Sequence, residues 1–319
     1  MATESEVSSA SDLAESSPRA EVPIESIQPG GGVCMRLELG WGAIRRTWLK
    51  TFRRGYVARM AQSRRGRGGN YPHEILDPRD LKYYRNQGDW HWLPEDDPFR
   101  WRERIPLARV GLGEVVIFSS VLIGLGALLA WLWWPLAALP AVLWLFVLWF
   151  FRDPRRAIPG GRGLLVAPAD GRVFSVRQIE WDDDLGSAAI SIDIFLSIFN
   201  VHINRSPEAC EVVSIRYQPG KFLNALRPEA ARENEALTVV MATEGRPGRL
   251  KVRQITGAIA RRIVCWLKPG DALSRGEPFG MIKLGSRTEL VVPQLEGLTV
   301  CVSEGDVVRG GMTVLARFE

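Results

Sequence analysis

Histidine is nearly missing from this chain of 319 residues: there are three, and only His202 lies beyond residue 151. A single histidine there excludes most metal centres, which need three or four ligands at recognisable spacing, so no metal is expected. Cysteine is as scarce. Cys34, Cys210, Cys265 and Cys301 show neither close pairing nor metal-ligand spacing, and each falls in an apolar or strand-like setting. Buried, reduced thiols are the expectation, in keeping with a globular part in the cytoplasm. The first 33 residues are rich in Ser and Glu and lack the apolar core of a secretion signal, so residues 1–33 read as a disordered acidic tail. The Gly-x-Ser-x-Gly elbow is missing too, which argues against a hydrolase of that fold.

The most informative absence is of charge. A mean hydropathy of -0.04 describes an ordinary soluble protein, yet residues 115–151 contain no charged side chain at all. That run is roughly twice the ~20 residues that cross a bilayer once. Pro135 and Pro140 interrupt it after the cluster Trp131, Trp133, Trp134, so it reads as one long kinked span or as a hairpin of two short helices. Arginines flank both ends: Arg100, Arg102, Arg104 and Arg109 before, Arg152, Arg155, Arg156 and Arg162 after. Positive charge is retained on the cytoplasmic side, so both flanks lie inside and a hairpin over residues 111–151 is favoured. The chain is expected in the cell membrane, with its globular part on the cytoplasmic side.

Before the apolar run, residues 34–110 form a basic extension, with seventeen Lys and Arg against nine Asp and Glu over residues 35–109. Within it Trp41, Ile44, Trp48 and Phe52 recur at helical spacing, with Arg45, Arg46, Lys50, Arg53 and Arg54 on other faces. Such a helix suits an anionic membrane surface or packing against the rest of the protein. The run "RRGRGG" over residues 64–69 is weak evidence for RNA beside a membrane anchor, so no nucleic-acid partner is expected. Residues 71–98 read as an irregular, aromatic-rich linker.

After residue 151 the texture changes to short β-branched or alternating runs such as "GRVFSVRQIE", "AAISIDIFL", "ALTVVMAT" and "ELVVP". Helical signal is sparse, and "FLNALRPEAARENEAL" over residues 222–237 is its best candidate. A faint internal repeat sets "PGDALSRGEPFGMI" against "EGDVVRGGMTVLA". Paired Gly-Asp turns of this kind suit compact barrel-sandwich folds. The expected architecture is therefore mainly β (α+β): a barrel-sandwich-like catalytic domain over residues 152–319, preceded by a transmembrane hairpin and a basic N-terminal extension.

Three residues could carry chemistry. His202 in "FNVHINRSP" sits at the end of an apolar strand. Asp170 in "VAPADGRV" occupies a turn where Asp often only caps its own backbone. Ser286 follows Gly285 in "MIKLGSRTELVVP", a strand pattern broken by Gly, a hydroxyl and a charge. Either the break is a bulge or tight turn, or the Gly285–Ser286 bond is itself a site of chemistry. Acid, imidazole and hydroxyl together are the ingredients of an activated nucleophile.

The blocks "FFRDPRR", "VAPADGRV", "IFLSIFNVHINRSP", "YQPGKFLNA", "ENE", "QITGAIARRIVCW" and "FGMIKLGSR", in this order, resemble the phosphatidylserine decarboxylase family in its short form, over residues 150–319. The resemblance implies pyruvoyl-dependent decarboxylation of phosphatidylserine to phosphatidylethanolamine. It further implies self-cleavage between Gly285 and Ser286 into a β chain, 1–285, and an α chain, 286–319, which stay associated. Ser286 would become a covalent pyruvoyl group that forms a Schiff base with the substrate. His202 and Asp170 match the family's motif positions, His202 as proton source and Asp170 as its orienter. Three positions depart from the pattern: Thr256 in place of Ala, Leu284 in place of Phe, and Glu289 in place of Asp. On the residues alone, a membrane-tethered serine hydrolase using Ser286 intact, or a non-catalytic barrel-sandwich binding module, also remains open.

Overall fold

The computed structural model describes residues 32–64, 75, 92, 100–243, 248–258, 263–283 and 285–318. The tail up to residue 31, the Arg-Gly run after Arg64, most of the aromatic linker, residues 259–262 of the "QITGAIARR" block and Leu284 lie outside these.

The basic extension contains two helices, α1 (Gly32–Phe52) and α2 (Arg54–Gln62). Leu49, Tyr56 and Met60 make a small core with Ile75 and Trp92. Trp41, Ile44, Trp48 and Phe52 are instead exposed along one side of α1, so this ridge does not pack against the described residues.

The charge-free run folds into α3 (Leu112–Leu132) and α4 (Ala138–Phe150), joined through a short 3₁₀ turn at Trp134–Ala137. The two helices return on each other. Trp144 Nε1 donates to Ser119 Oγ at 2.9 Å, and Pro140 rests on Gly126. At the open end the chain closes the pair with an isolated bridge between Leu107 and Arg152 and a bond from Ala108 N to Phe151 O at 2.7 Å. The outward faces are almost wholly apolar and exposed, including Trp131, Trp133 and Trp134 at the tip. Among the described residues, only α3 with its lead-in, Arg109–Leu132, is long and apolar enough to cross a membrane; Trp134–Phe150 is shorter.

From residue 164 the chain is mainly β. An eight-stranded antiparallel sheet curls into a half-barrel in the order β13 (Val307–Val308), β2 (Gly171–Asp182), β3 (Ser187–Leu196), β11 (Ser286–Pro293), β7 (Arg249–Ile255), β6 (Ala236–Thr243), β5 (Cys210–Gln218) and β9 (Ala272–Leu273). A three-stranded sheet runs β1 (Leu164–Val166), β14 (Val314–Phe318), β12 (Leu298–Val300). Another runs β4 (Ile203–Arg205), β10 (Pro278–Ile282), β8 (Ile263–Cys265). One core joins them: Ile192, Ile194 and Leu196 of β3 and Leu290 and Val292 of β11 meet Leu237, Met241, Leu250, Phe279 and Leu315.

Strand β11 is central and all eight of its residues are buried. Period-2 alternation sends Leu290 and Val292 inward and leaves Arg287 and Glu289 on the opposite face. There the two pair with each other at 2.9 Å, Arg253 meets Glu289 at 2.6 Å, and Arg287 also pairs with Asp193. Glu289, one of the departures from the family pattern, is thus held in an ionic network.

The internal repeat is real in three dimensions. In each copy Asp caps its turn, Asp271 on Lys268 N at 2.9 Å and Asp306 on Ser303 N at 2.8 Å. A two-residue strand follows, β9 or β13, and these close opposite edges of the large sheet. Two expectations fail. Residues 222–237 are not a helix: only α5 (Ala230–Glu233) is helical, because Pro228 breaks the run and Asn234 clasps Leu223 through both backbone atoms at 2.8 Å. Cys301 is exposed rather than buried, since it leaves β12 at the edge of its small sheet, while Cys210 and Cys265 are buried as expected.

Candidate active site

The break in "MIKLGSRTELVVP" is where the chain leaves one sheet for another. β10 belongs to the small sheet and β11 to the large one, and Lys283 to Gly285 carry the crossing. Gly285 has φ +64, the left-handed region, where a side chain is penalised by roughly 1 kcal/mol. The turn reading is therefore correct as geometry. The junction also has features that a turn does not need.

Ser286 is fully buried, and its Oγ has no hydrogen-bond partner. A buried hydroxyl without a partner is unfavourable by about 1–3 kcal/mol, so it marks a place where something other than stability is served. The carbonyl oxygen of Gly285 lies tight against Gly257: a Cβ at 257 would meet it at 2.2 Å and would meet Ala225 Cβ at 3.4 Å. Asn234 fixes both flanking loops, donating to Leu223 O at 2.8 Å and Thr256 O at 2.7 Å. Thr256, the second departure, uses its hydroxyl to donate to Glu235 O at 3.1 Å. Two residues past the junction, Thr288 Oγ1 accepts from Asn204 Nδ2 at 2.9 Å, and Asn204 Oδ1 accepts from Gln254 Nε2 at 2.8 Å. Gly280 makes room for that amide, which would stand 2.7 Å from a Cβ there.

His202 lies immediately before β4 and meets the strand that leads to this junction. Its carbonyl accepts from Ile282 N at 3.3 Å, three residues before Gly285. The ring is fully buried, lies 4.5 Å from the Phe150 ring, and neither nitrogen makes a full hydrogen bond. Burial pulls its pKa down to about 4; the Asn200 carbonyl opposes the shift and the Arg152 charge adds to it. At neutral pH the imidazole is therefore uncharged, with a lone pair available.

Asp170 stands elsewhere. Its carboxylate accepts Arg156 Nη2 on both oxygens at 2.9 Å and Gly310 N at 2.8 Å. No hydrogen bond joins Asp170 to His202, nor His202 to Ser286. The two reach each other only through charge at Arg152, which Asp170 stabilises and which in turn disfavours a protonated His202.

The structure thus places His202 against β10, the strand that leads to Ser286, and sets Asp170 apart as the anchor of the 152–163 segment. Gln254, Thr288 and Asn204 escaped the sequence reading. Their signal was present: Gln254 and Thr288 are polar residues at inward positions of otherwise apolar strands, where alternation predicts Val or Leu. Phe150 and Gly257 gave no local signal.

A model of the phosphatidylserine decarboxylase family matches residues 143–316. The chain is 50% identical over 240 residues to the phosphatidylserine decarboxylase proenzyme of Rhodopirellula baltica, covering 75% of this chain and 99% of that protein. It is 46% identical over 200 residues to that of Symbiobacterium thermophilum, covering 63% and 92%, and 41% identical over 211 residues to that of Nitratidesulfovibrio vulgaris, covering 66% and 92%.

Proposed function

From the premise that this chain belongs to the phosphatidylserine decarboxylase family, we propose how its residues make and use the catalytic group. The protein is a carboxy-lyase that removes CO2 from phosphatidylserine and leaves phosphatidylethanolamine. It is made as a proenzyme and matures by cutting itself between Gly285 and Ser286, giving a β chain, 1–285, and an α chain, 286–319, that remain packed together. The observation that carries this reading is the partnerless, buried Ser286 Oγ beside a Gly285 carbonyl pressed on Gly257.

Neutral His202 takes the hydroxyl proton of Ser286, and the oxygen attacks the Gly285 carbonyl carbon. The C–N bond breaks, the nitrogen takes a proton, and an ester replaces the amide. Loss of the Ser286 α-proton expels the Gly285 carboxylate and leaves dehydroalanine. Water adds, ammonia leaves, and residue 286 ends as an N-terminal pyruvoyl group. The residues at the corner fit such a group: β11 holds residue 286 at its first position, and the Asn204–Thr288–Gln254 network fixes the strand behind it. Once present, the pyruvoyl carbonyl supplies the electron sink for the pair left as CO2 departs. His202 serves as proton donor to the product carbon, since a protonated imidazole in this apolar setting gives up its proton readily. Asp170 acts as a positioning residue, holding Arg156 and with it the segment that carries Arg152.

The helical hairpin lies in the membrane and keeps the site at the lipid headgroups. Arg152, its guanidinium 4.0 Å over the Trp149 ring at the hairpin's exit, favours the anionic substrate over the zwitterionic product.

The test is intact mass of the purified protein. Two chains divided at 285/286 are expected, with the smaller beginning in a pyruvoyl group, and Ser286→Ala should run as one full-length chain. Cleavage of Ser286→Ala at the same bond would assign the cut to an external protease and end this reading. A natural chain that is active yet uncut would favour a serine hydrolase.

A further inference from the structure

The open end of the hairpin is built onto the turn that carries Gly285 and Ser286. Glu114, in the first turn of α3, is ion-paired with Nζ of Lys283, and only residue 284 separates Lys283 from Gly285. The same Nζ stands 5.7 Å from the centroid of the Phe151 ring. Phe151 in turn packs on Gly111, where a Cβ would meet its Cδ1 at 2.1 Å. Phe150, at the end of α4, lies against the His202 ring. These contacts belong to a continuous apolar cluster: Ala108, Val110 and Val115 from the hairpin side meet Val201, Ile203 and Met281 from the small sheet. The backbone locks the two ends in register, with Asp153 N donating to Pro106 O at 3.0 Å beside the Leu107–Arg152 bridge.

A tether needs none of this. A membrane anchor works through any flexible linker, whereas here both hairpin ends seat on the two groups of the processing corner. Glu114 is also the last charge before 37 uncharged residues, 115–151, and its place in the first turn of α3 lets the helix dipole favour it. The side chains of Glu114 and Lys283 are 23% and 15% exposed. Partly exposed pairs add little to overall stability. Position is a different matter: attack of a hydroxyl on a neighbouring carbonyl depends steeply on geometry, and a displacement of about 1 Å can slow such a step by about a hundredfold.

We propose that the hairpin is part of the self-processing machinery, and that Glu114, acting through Lys283, is a positioning residue for cleavage of the Gly285–Ser286 bond. The ion pair holds the segment leading into Gly285 in the one path that leaves its carbonyl on Gly257 and in reach of Ser286 Oγ. This rests on the reading of 285/286 as the bond that cuts itself.

The experiment follows cleavage of the full chain, synthesised without cells into lipid nanodiscs so that time zero is defined, on denaturing gels. Glu114→Lys and Lys283→Glu should each slow cleavage by roughly tenfold or more. The double variant, with the charges exchanged, should recover to within a few-fold of the natural rate, incompletely because a cation then sits at a helix N-terminus. Recovery by exchange is a readout that mere loss of packing would not give. The same substitutions placed in Ser286→Ala should unfold within a few degrees of their parent, showing that the fold is intact. Single variants that cleave at the natural rate, or an exchange no faster than the slower single variant, would overturn the proposal. Cleavage of Ser286→Ala itself would instead overturn the self-processing reading beneath it.

Discussion

The base step expected of His202 in processing depends on its being uncharged, and what keeps it uncharged is burial against Phe150 rather than a hydrogen-bonded partner. This has a consequence for stability. The folded pKa is about 4 and the unfolded value about 6.5, so between these limits the unfolded chain binds more protons than the folded one. Stability must then rise with pH across that window and level off above it, by at most about 3 kcal/mol from this residue. Asp153 and Asp193, whose pKa values burial raises, contribute with the opposite sign and must be subtracted. Urea unfolding of the uncut Ser286→Ala chain between pH 4.5 and 7.5, compared with the same chain carrying His202→Phe, isolates the histidine. The slope should be shallower in the second; equal slopes would mean that His202 is hydrated and titrates normally. The sequence offered His202 as a candidate because it is the one histidine beyond residue 151. It could not offer the cause of the shift, because Phe150 reads as one more apolar residue in the charge-free run.

Among the elements, the 152–163 segment between α4 and β1 has almost no regular structure and is held by ion pairs. Arg156 is bound by Asp170 and Arg205 by Asp153, and Arg205 Nη1 also donates to Gly276 O at 3.0 Å. Arg156 and Asp170 are 7% and 13% exposed, so removing one partner leaves a charge nearly buried. Asp170→Asn should lower unfolding free energy by about 3 kcal/mol, and Asp170→Asn with Arg156→Gln by distinctly less, since then no charge is stranded. Denaturant titration of both variants in the uncut background decides it. Additive losses would mean that the two side chains do not act as a pair. The "PADG" turn was legible as a turn, and the acid in it as a candidate. Its partner was not, because Arg156 is one of several arginines that the sequence presents as a membrane flank. The strands were legible for a similar local reason, β-branched alternation. The assignment of β10 and β11 to different sheets was not, since nothing in a strand's own pattern says which neighbours it will pair with.

For the whole molecule the question is which way the hairpin points. At ~1.5 Å per residue, the 21 residues of α3 reach about 31 Å, close to the thickness of the hydrocarbon core. The tip would then bring Trp131, Trp133 and Trp134, all exposed, to the far interface, where indole rings are favoured. The arginines at the open end, with the β-rich part attached to them, would stay on the near side. The chain carries its own reporter for this arrangement. Cys301 is exposed in the β-rich part, and Cys210 and Cys265 are buried. With Cys34→Ser, a membrane-impermeant maleimide should leave Cys301 unlabelled in intact cells and label it once the membrane is opened. Adding Trp134→Cys should create a site labelled from outside without opening the cell. Each alternative has its own pattern. A hairpin that only dips into the near leaflet leaves position 134 unlabelled until the membrane is opened, and a single span ending near residue 150 exposes Cys301 from outside. The charge-free run and its prolines made the hairpin legible. What they could not convey is that its open end closes over His202 and Lys283, because helix-to-site packing of this kind depends on the fold of residues far along the chain.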